Sequence, residues 1–321
     1  MPPRPPRRAE GCDSMALTLI RSASRAKVSP MSRADRQFGL RLSAPALALL
    51  AMLLVVPAVL TLVYSFHDVP PTGIAPGEFI GLTNYETVFG SPVFWSSLWV
   101  TIVFSLGFVV VSTCLGLGFA LLLNEAFPGR GILRGLLVIP WACPWLVIGI
   151  IWRWFVDGSV GGLNGLLMHL GLTDGYIDFL SNPRSALIIA VIGASWRQAC
   201  FAAILLLAGL QTLPKELNEA AAIDGAGPLG RFRHVTIPWL RPVLATVIVL
   251  NIIYAFLQFD VIFAMTQGGP GDATQVLSIL IYRQLFVATD IGTGSALAVI
   301  LALLSLVGGL ITVRLLYRNE A

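Results

Sequence analysis

Six apolar runs, at about residues 44–66, 97–123, 132–154, 185–209, 240–266 and 292–313, are each long enough to cross a bilayer as a helix. A hydrocarbon core about 30 Å thick takes roughly 20 helical residues. Inside it no water pairs with backbone N–H and C=O groups, so a spanning segment must satisfy them itself, as a helix, or within a closed barrel. Barrel strands would alternate in polarity and be about half as long. The expected fold class is therefore an all-α integral membrane protein, a bundle of six transmembrane helices. Composition agrees: 56% of the residues are hydrophobic and 12% charged, and a soluble domain carries about twice that charge fraction.

Orientation follows from lysine and arginine, which concentrate on the cytoplasmic side. With the N-terminus inside, the inner segments hold the nine cations up to Arg41, then Arg130, Arg134, Lys215, Arg231, Arg233, Arg241, Arg314 and Arg318, together 17 of the 21. The outer loops carry mostly acids, among them Asp68, Glu78, Asp157, Asp174, Asp178 and Asp272. Both termini are thus expected in the cytoplasm, with lipid as the surrounding partner. The net charge of +4 is accounted for by this sidedness and gives no case for nucleic acid.

Residues 1–42 are rich in Pro, Arg and Ser without periodicity, which predicts a disordered basic cytoplasmic tail; Met15 and Met31 are alternative starts. The first apolar run is too long and too late for a cleaved signal peptide and is expected to stay as the first helix. Residues 43–318 then form the transmembrane domain. Its outer loops, near 67–96, 155–184 and 267–291, are rich in Gly and Pro turns. The stretch 79–85, aromatic and turn-forming, predicts a folded lip outside the membrane.

Several chemistries are missing. The two lysines, Lys27 and Lys215, follow Ala26 and Pro214, so no GxxxxGK[ST] loop exists to cradle a nucleotide phosphate. His67, His169 and His234 form no HExxH pair, and no serine sits in a GxSxG elbow. Cys114, Cys143 and Cys200 fall within predicted helices and Cys12 in the tail, with no CxxC spacing, so they are read as packing residues rather than a metal site or disulfide framework. The chain is expected to be no enzyme and to bind no cofactor.

Between the fourth and fifth runs lies a polar interruption, 214–238, reading PKELNEAAAIDGAGPLGRFRHVTIP. Pro214 suits a helix start, strong helix formers run from Lys215 to Asp224, and Gly225 supplies a stop. Leu213, Leu217, Ala220 and Ala221 make a small apolar stripe, and Glu219 offers a carboxylate that an external arginine can grip. Pro228 can begin a second short helix that presents Phe232 between Arg231, Arg233 and His234. Pro238 marks the return to the membrane. Such a loop predicts a docking knob for a soluble partner.

Glu219-Ala220-Ala221, Gly225 six residues after the glutamate, and Val235-x-Ile237-Pro238 resemble the EAA signature of bacterial ABC importer permeases: EAA, three residues, G, nine residues, I-x-L-P. Val235 and Ile237 replace Ile and Leu. Ile139-Pro140-Trp141-Ala142-Cys143-Pro144, Ile151-Trp152-Arg153-Trp154, Phe259-Asp260-Val261-Ile262 and Gly268-Gly269-Pro270 are similar to the carbohydrate-importer branch, the maltose and glycerol-phosphate type. The chain departs from the maltose prototype, which has two further N-terminal helices and a large external domain, and looks like the shorter six-helix members.

The resemblance implies a division of labour in the bacterial inner membrane. A second permease subunit completes the pathway, two ATPase subunits dock beneath and use ATP and magnesium, and an extracytoplasmic binding protein delivers a sugar, oligosaccharide or glycerol-phosphate-like solute. Glu219, Ala220, Ala221, Asp224, Gly225, Arg231, Phe232, Arg233 and Pro238 would couple the ATPase to the membrane helices. An ion-coupled transporter or channel would instead need intramembrane carboxylates, of which Asp260 is the one present, and a non-transporting scaffold would have no need of the 219–238 spacing.

Within the spans, Asn251, Tyr254 and Gln258 sit at i, i+3 and i+7 and form a polar seam on one arc of the fifth helix. Such a seam suits either a hydroxyl-rich solute or hydrogen bonds between helices. Arg197, beside Trp196 and Gln198, lies near the middle of the fourth run, where a guanidinium costs at least about 2.5 kcal/mol in lipid unless it faces water or a partner. Either Asp260 or solute is a candidate partner, and Arg197, Gln198 and Asp260 join the seam as candidate solute-pathway residues. Arg153, between Trp152 and Trp154, reads as an interfacial anchor.

Overall fold

The computed structural model describes residues 33–71 and 75–317. Most of the expected disordered tail, with Cys12, lies outside the described residues; from Arg33, still within that stretch, the chain is helical. Among the described residues, those up to Ala58 form one compact unit and those from Val59 onward another. Helix α1 (Arg33–Leu50), a π-helical turn (Ala51–Val55) and α2 (Val56–Tyr64) follow without a break. Their apolar stretch Leu42–Tyr64 has the length and composition of a span, and none of its most apolar window is buried inside the protein.

The π turn has a covalent cause. Pro57 has no N–H to give the carbonyl four residues back, and the ladder there widens by one residue, Val56 N–H reaching the Ala51 carbonyl. The same device recurs before Pro238, where a π turn (Phe232–Thr236) ends with Ile237 N–H on the Phe232 carbonyl. Pro238 is therefore carried within a helix. The expected second loop helix, α10 (Pro228–Arg231), and the expected fifth span are one continuous helix, Pro228–Phe256, whose membrane part is α11 (Ile237–Phe256).

The remaining elements of the second unit are α3 (Thr83–Gly90), α4 (Pro92–Asn124), α5 (Arg130–Ala142), α6 (Trp145–Phe155), α7 (Gly162–His169), α8 (Pro183–Gln211), α9 (Lys215–Ile223), α12 (Asp260–Thr266), α13 (Leu277–Tyr282) with a π turn after it (Arg283–Val287), and α14 (Ile291–Tyr317). Helix α8 is the central one, packed along α4 and touching α5, α6, α11 and α12. Its buried face carries Ala186, Ala190, Ala194, Ala199, Ala202 and Ala203, small residues that let neighbouring backbones approach. Phe104 and Phe108, with Ile148, Ile189 and Ile262, fill the core between these helices. A second apolar cluster holds Leu123, Leu206, Leu210 and Leu240, and a third Phe94, Leu277, Leu297 and Leu301.

Two of the expected spans are not single helices. The run at 132–154 bends by 101° between α5 and α6. Pro144 pushes the preceding residue out of the helical region, and Cys143 takes φ −69°, ψ 139°. Cys143 is thus an elbow residue, not a residue within a helix. The run at 240–266 breaks at residues 257–259, so Gln258 and Asp260 are off the register of α11. Among the described residues, five helices are long and apolar enough to span, six if the bent pair counts as one.

The two half-helices that follow the breaks, α6 and α12, pack on each other. Gly149 makes this possible: a Cβ there would lie 2.7 Å from the Ala264 Cβ and 2.8 Å from the Val261 carbonyl oxygen. The stretch 79–85 is folded against the end of α2, Ile80 N–H donating to the Phe66 carbonyl and buried Asn84 Nδ2 to the carbonyls of Ser65 and His67.

Candidate functional site

The loop after α8 is an exposed helical knob. Helix α9 ends with Ala226 N–H on the Ala221 carbonyl and Gly225 N–H on the Ala222 carbonyl. This pair of bonds, with Gly225 at φ 81°, is the left-handed helix stop that glycine adopts without a Cβ penalty. Asp224 is the last residue before it. Glu219 and Ala220 are exposed while Ala221 is half-buried, so of the expected apolar stripe only part turns inward. Ile223 is 86% exposed and Leu229, in α10, 78%. Phe232 and Arg231 are half-buried against the loop, the Arg231 Nε sealed without a partner among the described residues, and Arg233 is exposed.

In the membrane region the candidates separate. Asn251 is 0% exposed; its Oδ1 accepts from Gln198 Nε2 at 2.8 Å, and its Nδ2 donates to Ser112 Oγ and Thr113 Oγ1, each at 3.0 Å. Asn251 and Gln198 therefore tie α4, α8 and α11 together and line no open surface; of the two alternatives for the seam, Asn251 takes the hydrogen bond between helices. Gln258 is also buried, in the break, with its carbonyl accepting from Ser278 Oγ at 2.6 Å and its Nε2 lacking a partner among the described residues. Tyr254 is 41% exposed. The expected seam of three is thus split among a sealed tie, an open phenol and a break.

Arg197 does not pair with Asp260. Its Nε donates to the Cys143 carbonyl at 2.9 Å and its guanidinium lies 4.0 Å from the centre of the Trp145 ring. Trp145 in turn meets Tyr254, centroids 6.4 Å apart. Asp260 is exposed at the first turn of α12, where the helix dipole favours a carboxylate. Sequence reasoning missed Trp145, Ser112 and Thr113. The one available signal was Pro144, which marks the elbow; the hydroxyls on α4 have partners 138 and 139 residues away, which no local pattern reveals.

At the other end of α6, Arg153 borders a cavity of about 640 Å³ with Asp157, Asp178, Ser181 and Thr266, so it faces a polar hollow as well as the tryptophans beside it. The Asp157 carboxylate accepts from Ser159 Oγ at 2.6 Å and from the N–H groups of Ser159 and Val160 at 2.8 and 3.0 Å. The Ser159 bonds first, then that from Val160, hold it below the usual carboxylate range. Among the described residues no cluster of His, Cys, Asp and Glu is arranged to hold a metal ion.

Residues 112–319 match the protein family described as the binding-protein-dependent transport system inner membrane component. The sulfoquinovosyl glycerol transport system permease protein SmoG of Agrobacterium fabrum is 38% identical over 85% of this chain and 88% of its own length. The trehalose/maltose transport system permease protein MalF of Thermococcus litoralis is 38% identical over 85% of this chain and 91% of its own. The sn-glycerol-3-phosphate transport system permease protein UgpA of Yersinia pestis is 34% identical over 81% and 87%. Among solved structures, a chain of a bacterial alginate ABC transporter, crystallised with a periplasmic protein bound to an alginate pentasaccharide, superposes with a TM-score of 0.76, covering 89% of this chain and 96% of that one. At 21% identity this is a likeness of fold.

Proposed function

We propose, on the premise that this chain belongs to the family of binding-protein-dependent transport system inner membrane components, that its 214–238 loop couples a separate ATPase to the passage of a sugar-like solute. The chain is a membrane-spanning permease subunit of an ABC importer in the bacterial inner membrane, and not an enzyme. In this reading two ATPase subunits use ATP and magnesium, a second permease subunit completes the pathway, and a binding protein hands over the solute outside. The solute is a sugar, oligosaccharide or glycerol-phosphate-like compound, the class for which SmoG, MalF and UgpA are named.

The observation that carries the coupling role is the exposure of the knob. Leaving Ile223 and Leu229 almost wholly in solvent forgoes about 1.5–3 kcal/mol of burial each, which is recovered only if a partner covers them. Glu219 adds an acceptor for a charge-assisted bond, and the Gly225 stop fixes the direction of α9. Movement of α9 would pass through α10 directly into Pro228–Phe256, since these form one helix. Copurification tests the reading: Ile223→Asp should reduce recovery of ATPase subunits with the tagged permease at least tenfold while leaving the permease in the membrane. Equal recovery would remove the docking role.

A further inference from the structure

Arg197 lies 14 residues from either end of α8, and nothing among the described residues neutralises it. The one ion pair among them, Arg283 with Asp272, is elsewhere. Two of its features are committed: Nε to the Cys143 carbonyl and one face to Trp145. These contacts fix the plane of the guanidinium and leave its outer edge, with both terminal nitrogens, without a hydrogen-bond partner among the described residues and not sealed from solvent. The Trp145 ring that covers one face of the guanidinium also meets the exposed Tyr254, whose hydroxyl has no hydrogen-bond partner among the described residues.

A planar fork with two free N–H pairs matches two oxygens of one anion, and does so better than any hydroxyl of a neutral sugar. Aromatic faces set beside it suit the C–H faces of a sugar ring or a polyol chain. A guanidinium at mid-span also needs an answering charge once water is expelled, and a solute that brings the charge supplies it only when bound. We propose that Arg197, held by Cys143 and Trp145, contacts an anionic group on the transported solute, and that the solute is a saccharide or polyol bearing a phosphate, sulfonate or carboxylate. This rests on the reading of the chain as an importer permease.

The test uses the complete importer with its binding protein in proteoliposomes. The probes are labelled glycerol 3-phosphate, 6-deoxy-6-sulfoglucose and galacturonate, each set against its uncharged counterpart, glycerol, glucose and galactose. ATP-driven uptake of at least one anionic probe is expected, at a rate at least tenfold above that of its counterpart, and the probe accepted identifies the head group. Arg197→Gln should lower that uptake at least tenfold and Arg197→Lys less, with no change in the probe's affinity for the isolated binding protein. Uptake confined to the neutral probes, wild-type uptake by Arg197→Gln, or no uptake of any probe by a complex that retains its ATPase subunits would overturn the proposal. The wild-type preference decides the matter even if Arg197→Gln does not assemble. A complex that holds no ATPase subunits would instead overturn the importer reading.

Discussion

Arg197 Nε donates to the carbonyl oxygen of Cys143 across 2.9 Å, tying the middle of α8 to the elbow between α5 and α6. The elbow exposes that carbonyl because the chain leaves the helical region there, and a bare carbonyl in lipid costs on the order of several kcal/mol. The second break is handled alike, Ser278 Oγ reaching the Gln258 carbonyl. Irregular backbone at membrane depth is thus made tolerable by side chains from elsewhere in the fold.

Ser278→Ala removes the donor to the Gln258 carbonyl and should destabilise the protein by about 1–3 kcal/mol. A lowered thermal midpoint in detergent, restored by Ser278→Thr, is the expected result. An unchanged midpoint would mean that the break is satisfied by something other than this hydroxyl.

Asn251→Leu should weaken assembly more than solute handling. It leaves the Gln198 amide and two hydroxyls of α4 without their shared partner in a sealed site, about 1–3 kcal/mol for such a group. Yield and thermal midpoint should both fall, whereas solute affinity of whatever complex survives should not. A normal midpoint with altered affinity would contradict the tie.

Gly225→Asp places a side chain at φ 81°, which costs roughly 1–2 kcal/mol. Space is not the obstacle, since a Cβ there meets nothing within 4 Å. The helices should insert normally while ATP-driven uptake falls, and Gly225→Asn, which tolerates the left-handed region, should be milder. Normal uptake by Gly225→Asp would show that the direction of α9 does not matter for coupling.

Asp157 gives a pH dependence. Because its folded-state value is lowered, the turn it organises gains stability that is full above the unfolded value, about 4, and is lost as pH falls through the folded value. Amide exchange at Ser159 and Val160, corrected for intrinsic rates, should therefore speed up in acid and be fast at all pH values in Asp157→Asn. Protection independent of pH would remove the carboxylate from this role.

Much of this was legible in the sequence. The six apolar runs declare spans because length and composition alone decide membrane insertion. The knob was legible too, since Pro214, the alanines and Gly225 are local signals, and the structure places the helix and its stop where they fall. Pro238 stands where the chain returns to the membrane, but that it lies inside a continuous helix was not legible, because a proline can stop a helix or be absorbed by a π turn, and only the surrounding ladder selects between them.

The amino-acid sequence by itself determined that this is an all-helical membrane protein with a polar loop at 214–238 and without a GxxxxGK[ST] motif. Tertiary structure decided where the spans break and which polar groups are spent on structure. Apolar residues on either side of an elbow look alike, and the partners of Asn251 and Arg197 lie 53 to 139 residues away along the chain. A hydrogen bond inside the membrane is chosen by proximity after packing, and no local periodicity encodes it.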